Sequence, residues 1–161
     1  MKLNYRLLTE VDSAVIEPWF DDLDTKKYLG NKDWLHRLFK LLDEMPGKEF
    51  KGKIISGRYA LLVFLGQTPV ALIDIETYSD ATAALALVVA PDYRSKGIAK
   101  RIHGDIWELS EMKDINKIIG GLDPDNIASL KSLKETGAII SKKLNEQGQL
   151  ETTQTRPKKS N

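Results

Sequence analysis

The stretch Val88-Val89-Ala90-Pro91-Asp92-Tyr93-Arg94-Ser95-Lys96-Gly97-Ile98-Ala99 opens a run in which Arg94, Lys96, Lys100 and Arg101 place four cations within eight residues, with no acid among them. An apolar run ends at Pro91 just before these cations and an amphipathic run begins just after Gly97, so they sit on a turn between a strand and a helix. Such a turn binds anions. The first N–H groups of a helix have no partner within it, and the helix dipole adds positive charge at the same end. Gly97 lets a ligand approach the backbone without meeting a Cβ. A diphosphate matches this arrangement in charge and in its need for several donors.

The rest of the composition excludes most other chemistries. With no Cys in 161 residues there is no disulfide framework, thiolate zinc site, iron–sulfur cluster or cysteine nucleophile. His36 and His103 are the only imidazoles, far apart and outside any ligand-spaced cluster, so neither a metal site nor a Ser/His/Asp triad is expected. The formal charge of +1, from 24 Lys+Arg against 23 Asp+Glu, argues against a nucleic-acid partner. Apolar runs such as Ala83 to Ala90 are far shorter than the roughly 20 residues of a membrane-spanning helix. The N-terminal MKLNYRLLTE lacks the apolar centre of a signal peptide, so a cytoplasmic protein is expected. From Glu10 to Asp24 the carboxylates Glu10, Asp12, Glu17, Asp21, Asp22 and Asp24 meet no Lys or Arg. That run reads either as a solvated helix face or as a rim that attracts an amine in its ammonium form.

The elements that must position these groups follow from periodicity. Leu3, Tyr5 and Leu7 alternate as a short strand, and Thr9 with Asp12 forms a helix N-cap with an acidic first turn. Val11, Val15, Trp19 and Phe20 share one helical face, a loop with Asp21, Asp22 and Asp24 follows, and Trp34, Leu35, Leu38, Leu41, Leu42 and Met45 then recur at helical spacing up to Pro46-Gly47. Tyr59 to Leu65, a turn at Gly66-Gln67-Thr68, and Val70 to Glu76 form an antiparallel pair, with Asp74 and Glu76 on one face and Ile73 and Ile75 on the other. The run Ala83 to Val89 is apolar at every position, the pattern of a central strand covered on both faces.

A helix carrying Ile98, Ala99, Ile102, Ile106 and Leu109 starts near Gly97, and Lys117 to Leu122 is a further strand. Asp125 caps a helix with Ile127, Leu130 and Leu133 that closes at Gly137, and Ala138 to Leu144 with Leu150 to Thr155 forms a C-terminal hairpin. His36 and His103 are both expected to be at least partly exposed, and Trp19, Trp34 and Trp107 to pack with their N–H groups near the surface. The result is an α/β fold: one mixed, mostly antiparallel central sheet of about 6–7 strands flanked by about 4 helices. One domain spans residues 1–156, and 157–161 form a polar tail.

The strand, the turn with Arg94, Gly97 and Ala99, and the helix together resemble the acetyl-CoA motif of the GNAT N-acetyltransferase superfamily, whose core pattern is Q/R-x-x-G-x-G/A. A second block, Asn126-Ile127-Ala128-Ser129 followed by a helix and Gly137, resembles that family's N-x-x-S…G segment, and order and spacing agree over residues 58 to 156. The resemblance implies acetyl-CoA as acyl donor. Backbone groups of Leu87, Val88 and Val89 would pair with the pantetheine arm, and N–H groups over Ser95, Lys96, Gly97, Ile98, Ala99 and Lys100, with the Arg94 side chain, would hold the pyrophosphate. Asn126 and Ser129 would contact the pantetheine near the thioester, and a backbone N–H near Val88 would polarise its carbonyl. It further implies that the strands carrying Val89 and Ile118 splay apart, and that the partner is a small-molecule or peptide amine, with a homodimer as a possible assembly.

Three positions depart from the family pattern. Leu133 stands where many members carry a Tyr that protonates the departing thiolate, and Gly121 and Ala83 stand where some members place a Glu base. The substitutes available for acid–base work are Glu76, on the strand beside the central one, and Asp123, at the end of the strand before Asn126. Three readings stay open: an N-acetyltransferase acting by direct attack in a ternary complex, an acyl-CoA-binding sensor or interaction domain with little or no turnover, and a phosphate-binding domain of unrelated function that would use the anion turn but not Asn126 or Gly137.

Overall fold

Alternating apolar residues give the chain its strands, and two apolar faces give it two layers of helix. The computed structural model describes residues 1–158, so residues 159–161 of the expected polar tail lie outside the described residues. One eight-stranded sheet is formed by β1 (Leu3–Leu7), β2 (Glu49–Phe50), β3 (Lys53–Leu65), β4 (Thr68–Tyr78), β5 (Thr82–Val89), β6 (Lys117–Leu122), β7 (Ile139–Leu144) and β8 (Leu150–Thr155). Its order is β1-β3-β4-β5-β6-β8-β7, with the two-residue β2 paired to the start of β3. Every pairing is antiparallel except β5 with β6. The helices are α1 (Ser13–Ile16), α2 (Leu23–Tyr28), α3 (Lys32–Glu44), α4 (Ile98–Asp105) and α5 (Ile127–Glu135). None is long and apolar enough to cross a membrane.

The two faces of the sheet are covered differently. On one face Leu61, Val63, Ile73 and Ile75 pack beneath Ile98, Ile102 and Ile106 of α4 and the turn that follows it. On the other, Ala60, Leu62, Leu72 and Val88 pack beneath Ile16, Trp19, Phe20, Leu35 and Leu38. Burying each such Leu, Ile or Phe contributes about 1.5–3 kcal/mol, so these two layers hold the sheet and fix where its ends lie. The Arg156 guanidinium donates to the backbone carbonyls of Ile115, Trp107 and Met112, which ties the end of β8 to the segment between α4 and β6.

The first third differs from its expectation. Thr9 and Asp12 do form a capping box, but the helix beyond is a four-residue α1 between two 3-10 turns, Glu10–Asp12 and Glu17–Asp21, with Pro18 at the start of the second. The period shifts at each change of helix type, so Val11 and Val15 are exposed and Ile16 is buried beside Trp19 and Phe20. The expected loop at Asp21, Asp22 and Asp24 holds a helix instead, α2, because Asp22 accepts from the Thr25 N–H at 3.1 Å as its N-cap. The helix after Gly97 ends at Asp105 and passes into a 3-10 turn, Ile106–Glu108. His103 is buried rather than exposed, since it shares the inward face of α4 with Ile98 and Ile102. Asn126, not Asp125, caps α5, its Oδ1 accepting from the Ser129 N–H at 3.3 Å.

Candidate active site

The parallel junction of the sheet is held by two residue pairs. Thr82 pairs with Lys117 and Ala83 with Ile118; beyond them β5 and β6 part, although β5 continues to Val89 and β6 to Leu122. On its other edge β5 stays paired with β4 from Ala83 opposite Thr77 to Val89 opposite Ala71, and the Ala90 N–H donates to the Val70 carbonyl at 2.8 Å. Backbone groups alternate in direction along a strand. Ala84, Ala86, Val88 and Ala90 therefore face β4, while Leu85, Leu87 and Val89 turn their N–H and C=O groups into the split. Such groups require a partner from solvent or from a ligand. The splay expected between the strands of Val89 and Ile118 is present, and Leu87 and Val89 line it. The Val88 N–H faces β4, whereas those of Leu87 and Val89 face the split.

The apolar run of β5 is thus only partly covered by protein. Ala84, Leu85, Ala86 and Leu87 are half-buried, in contrast to the full cover expected of a central strand. Its apolar character marks surface that an inserted chain can cover.

Immediately after β5, a 3-10 turn (Pro91–Tyr93) leads to Ser95 at φ 60 and Gly97 at φ 81, both in the left-handed region, and then to α4. Arg101 is the first residue whose N–H returns to Gly97, at 3.0 Å, so the N–H groups of Ile98, Ala99 and Lys100 point out of the helix start. A Cβ built on Gly97 would meet no atom within 4 Å, so the space over this backbone is open to a ligand. Two of the four cations are already committed. Arg94 bonds Asp22 at 2.8 Å and the Thr25 hydroxyl at 2.8 Å, with Asp24 at 3.9 Å, and Arg101 bonds Asp105 at 2.9 Å. Lys96 and Lys100 remain exposed beside the turn, Lys96 Nζ lying 5.2 Å from the Tyr93 ring centre.

On the far side of the split, the Asp123 carbonyl accepts the Asn126 N–H at 3.0 Å and shapes the entry to α5. Asn126 and Ser129 are joined by the cap, which occupies Oδ1 of Asn126 and leaves its amide N–H groups to donate. Asp123 is half-buried, and among the described residues its carboxylate has no ion-pair partner. Leu133 is half-buried on α5, and Ala83 is buried within the short ladder.

Glu76 belongs to a polar cluster invisible in the one-dimensional pattern. Arg58 on β3 bonds Asp74 at 2.7 and 3.1 Å and Glu76 at 2.8 Å, and the Tyr78 hydroxyl donates to Glu76 at 2.7 Å. The side chains of Arg58, Asp74 and Glu76 are 14%, 8% and 13% exposed, so this is not the solvent face that alternation predicts. One cation faces two carboxylates. Burial raises the pKa of Asp74, and the Glu76 charge adds to this against the pull of Arg58. In the register Asp74 stands opposite Ala86 and Glu76 opposite Ala84, the two small residues of β5 beside the split. Arg58 escaped sequence reasoning because its role depends on the β3–β4 register, which places it directly opposite Glu76, and Tyr78 joins from two residues further along β4.

The acidic run before α3 is largely neutralised. Asp12 binds Arg6, Glu17 meets His36, Asp21 lies near Lys32, and Asp22 and Asp24 face Arg94. Two cavities lie elsewhere: one of about 530 Å³ between α2 and α3, lined by Lys26, Gly30, Asn31, Trp34 and Arg37, and one of about 450 Å³ beside His103 and Gln154. Neither is lined by β5.

No family model matches the chain. A curated protein of Bacillus subtilis (strain 168), named uncharacterized N-acetyltransferase YfmK, is 23% identical over 136 residues, 84% of each chain. The aminoglycoside acetyltransferase AAC(6')-Ib, solved with paromomycin and acetyl-CoA, superposes with a TM-score of 0.75 at 14% identity, covering 97% of this chain and 94% of that one. The spermidine N-acetyltransferase of Vibrio cholerae, solved with CoA and spermine, superposes with a TM-score of 0.72 at 16% identity, covering 95% of each. The chain shares the fold of these acetyltransferases over almost its whole length.

Proposed function

We propose that this protein is an acetyl-CoA-dependent N-acetyltransferase that acylates a primary amine, in its cationic form in solution, by direct attack in a ternary complex. The observation that carries the reading is the split itself: an unpaired edge of β5 from Ala84 to Val89 that runs into the N–H-lined turn at Gly97. An extended pantetheine would pair with Leu87 and Val89 as an added strand, and its diphosphate would meet the N–H groups at Ser95 to Lys100 together with Lys96 and Lys100. The empty space over Gly97 fits that group. Acetyl-CoA supplies the activated acyl carbonyl and the leaving thiol. The neighbours that bind aminoglycosides or spermine support an amine as acceptor.

The chain's own residues would then do three things. Leu87 or Val89 donates an N–H to the carbonyl as charge develops on its oxygen. Asn126 orients the arm through its free amide N–H groups. Asp74 and Glu76, with one more negative charge than Arg58 neutralises, hold the ammonium group and Glu76 takes the proton it must lose before attack. Asp123, from the opposite lip, is the alternative base. Proximity in the split supplies most of the acceleration, so no enzyme nucleophile is required.

Leu133 favours a second reading, an acyl-CoA-binding domain without turnover, because the side chain there cannot protonate a thiolate. One experiment separates the two. The chain has no Cys, so a thiol reagent reports CoA release against no protein background when acetyl-CoA is mixed with a panel of polyamines, aminoglycosides and peptide N-termini. Thiol release that saturates with one amine class establishes the transferase. Saturable acetyl-CoA binding without release on any amine establishes the sensor, and failure of acetyl-CoA to bind or to raise Tm rejects both.

A further inference from the structure

The turn after β5 and the loop after β6 are the two lips of the split, and α2 is bonded to both. At its N-terminal end Asp22 and Thr25 hold Arg94, each at 2.8 Å. At its C-terminal end Lys27 meets Asp125 at 2.7 Å, and the Tyr28 hydroxyl donates to the Asp125 carbonyl at 3.3 Å. The six residues of α2 rise about 9 Å, roughly twice the 4.8 Å between paired strands. That is the reach needed to span strands that have parted. The helix follows Trp19 and Phe20 and precedes Leu35, all buried on the face of the sheet opposite α4, so it spans the gap on the side of Asp74 and Glu76.

Arg94 is the first residue of the motif, and its guanidinium is bonded to α2. Both terminal nitrogens are engaged by α2, and with Asp22 and Asp24 within 4 Å the group carries a net negative charge. Burial opposes ionisation of Asp22, but the Thr25 N–H and Arg94 outweigh it and keep its carboxyl below the usual range.

We propose that Arg94 is a positioning residue for the acceptor side: it pins α2 as a strap across the mouth of the split, and α2 forms the wall between the diphosphate turn and the amine site. The acceptor part of this inference rests on the transferase reading; the strap does not.

The test compares wild type with Arg94→Gln, Lys100→Gln, Asp22→Asn (which keeps a capping side chain) and the Asp22→Asn/Arg94→Gln double variant. By titration calorimetry Arg94→Gln should leave the acetyl-CoA Kd within about threefold while Lys100→Gln weakens it by about tenfold, as expected of a phosphate-facing cation. In hydrogen exchange Arg94→Gln should speed the amides of 22–28 and 125–129 by about tenfold while those of α4 stay unchanged. The double variant should loosen α2 no more than either single one, the signature of one shared interaction. With kanamycin and spermine as probe acceptors, the KM of whichever is turned over should rise about fivefold or more with kcat changed less.

The exchange readout needs no cofactor or acceptor. Unchanged exchange in 22–28 for Arg94→Gln overturns the strap, and a tenfold or greater loss of acetyl-CoA affinity in that variant returns Arg94 to the diphosphate. Absence of acetyl-CoA binding by wild type would count against the transferase reading while the exchange result still decides the strap.

Discussion

Arg58 on β3 and Glu76 on β4 stand directly opposite in the antiparallel register, and their side chains meet at 2.8 Å on a largely buried part of the sheet. The same guanidinium also holds Asp74, so a single cation organises two carboxylates beside β5. Removing one partner of such a group leaves uncompensated charge. Arg58→Met is expected to destabilise the fold by about 3–5 kcal/mol, the cost typical of breaking a buried pair, and urea unfolding at neutral pH measures it.

Conservative replacement of the acids tests chemistry more than stability. Glu76→Gln should lower kcat by about 10²–10⁴ with acetyl-CoA binding retained, the range for loss of a general base. Asp74→Asn should act differently. Because burial raises the Asp74 pKa, the wild-type rate should fall with acid at a pH above the usual carboxylate range, and this variant should move that acid limb. An unaltered pH–rate profile in both variants would transfer the role to Asp123.

Gly97 separates folding from ligand binding. At φ 81 any Cβ brings left-handed strain of about 1–2 kcal/mol, but nothing in the protein lies within 4 Å of it. Gly97→Ala and Gly97→Val should therefore both fold with a modestly lower Tm, and Gly97→Val should abolish acetyl-CoA binding by calorimetry. Unchanged affinity would place the diphosphate elsewhere.

His103 couples stability to mild acid. Burial lowers its pKa below the ordinary value of 6.5, against the smaller opposing effect of Gln154. Below pH 6.5 the unfolded chain therefore binds more protons than the folded one, so this contribution is intact above pH 6.5 and is lost as pH falls toward the depressed folded value. Urea unfolding between about pH 7.5 and about pH 5 should show a decline that His103→Gln reduces.

Asp12 has the same direction at lower pH. Its bond with Arg6 first of all, and then the Thr9 N–H and hydroxyl against the cost of burial, hold its pKa at about 2 rather than 3.8. Its stabilising contribution is complete above pH 3.8 and lost as pH falls toward 2. At neutral pH Asp12→Ala should cost about 0.5–2 kcal/mol through the lost cap, and the difference from wild type should shrink in strong acid.

Local features were readable from sequence, and those set by register or by a change of helix type were not. The turn at Arg94, Gly97 and Ala99 occupies a few consecutive residues between a strand and a helix, so its place in the fold was legible from spacing. The role of Arg94 was hidden because its partners, Asp22 and Thr25, lie some seventy residues earlier in the chain. Asp22 and Asp24 looked like loop residues, yet a carboxylate at an N-cap starts a helix. Leu85 and Leu87 looked like buried core, but an apolar residue awaiting a ligand has the same composition as one already packed. Arg58 and Glu76 belong to separate strands and became a pair only once the β3–β4 register was known.

The last strand of the chain is not at the edge of the sheet. β8 inserts between β6 and β7, and Arg156 just beyond it closes on the carbonyls of Trp107, Met112 and Ile115. During synthesis β6 therefore emerges with β5 as its parallel neighbour over two residue pairs, and its other edge stays unpaired until β8 has followed. The N-terminal strands can associate while the ribosome is still working, since β1, β3, β4 and β5 form one continuous antiparallel block. Completion of the half that carries Asn126 waits on β8, and a chain stalled or truncated before Leu150 would display the β6 edge to the chaperones and proteases that survey unfinished proteins.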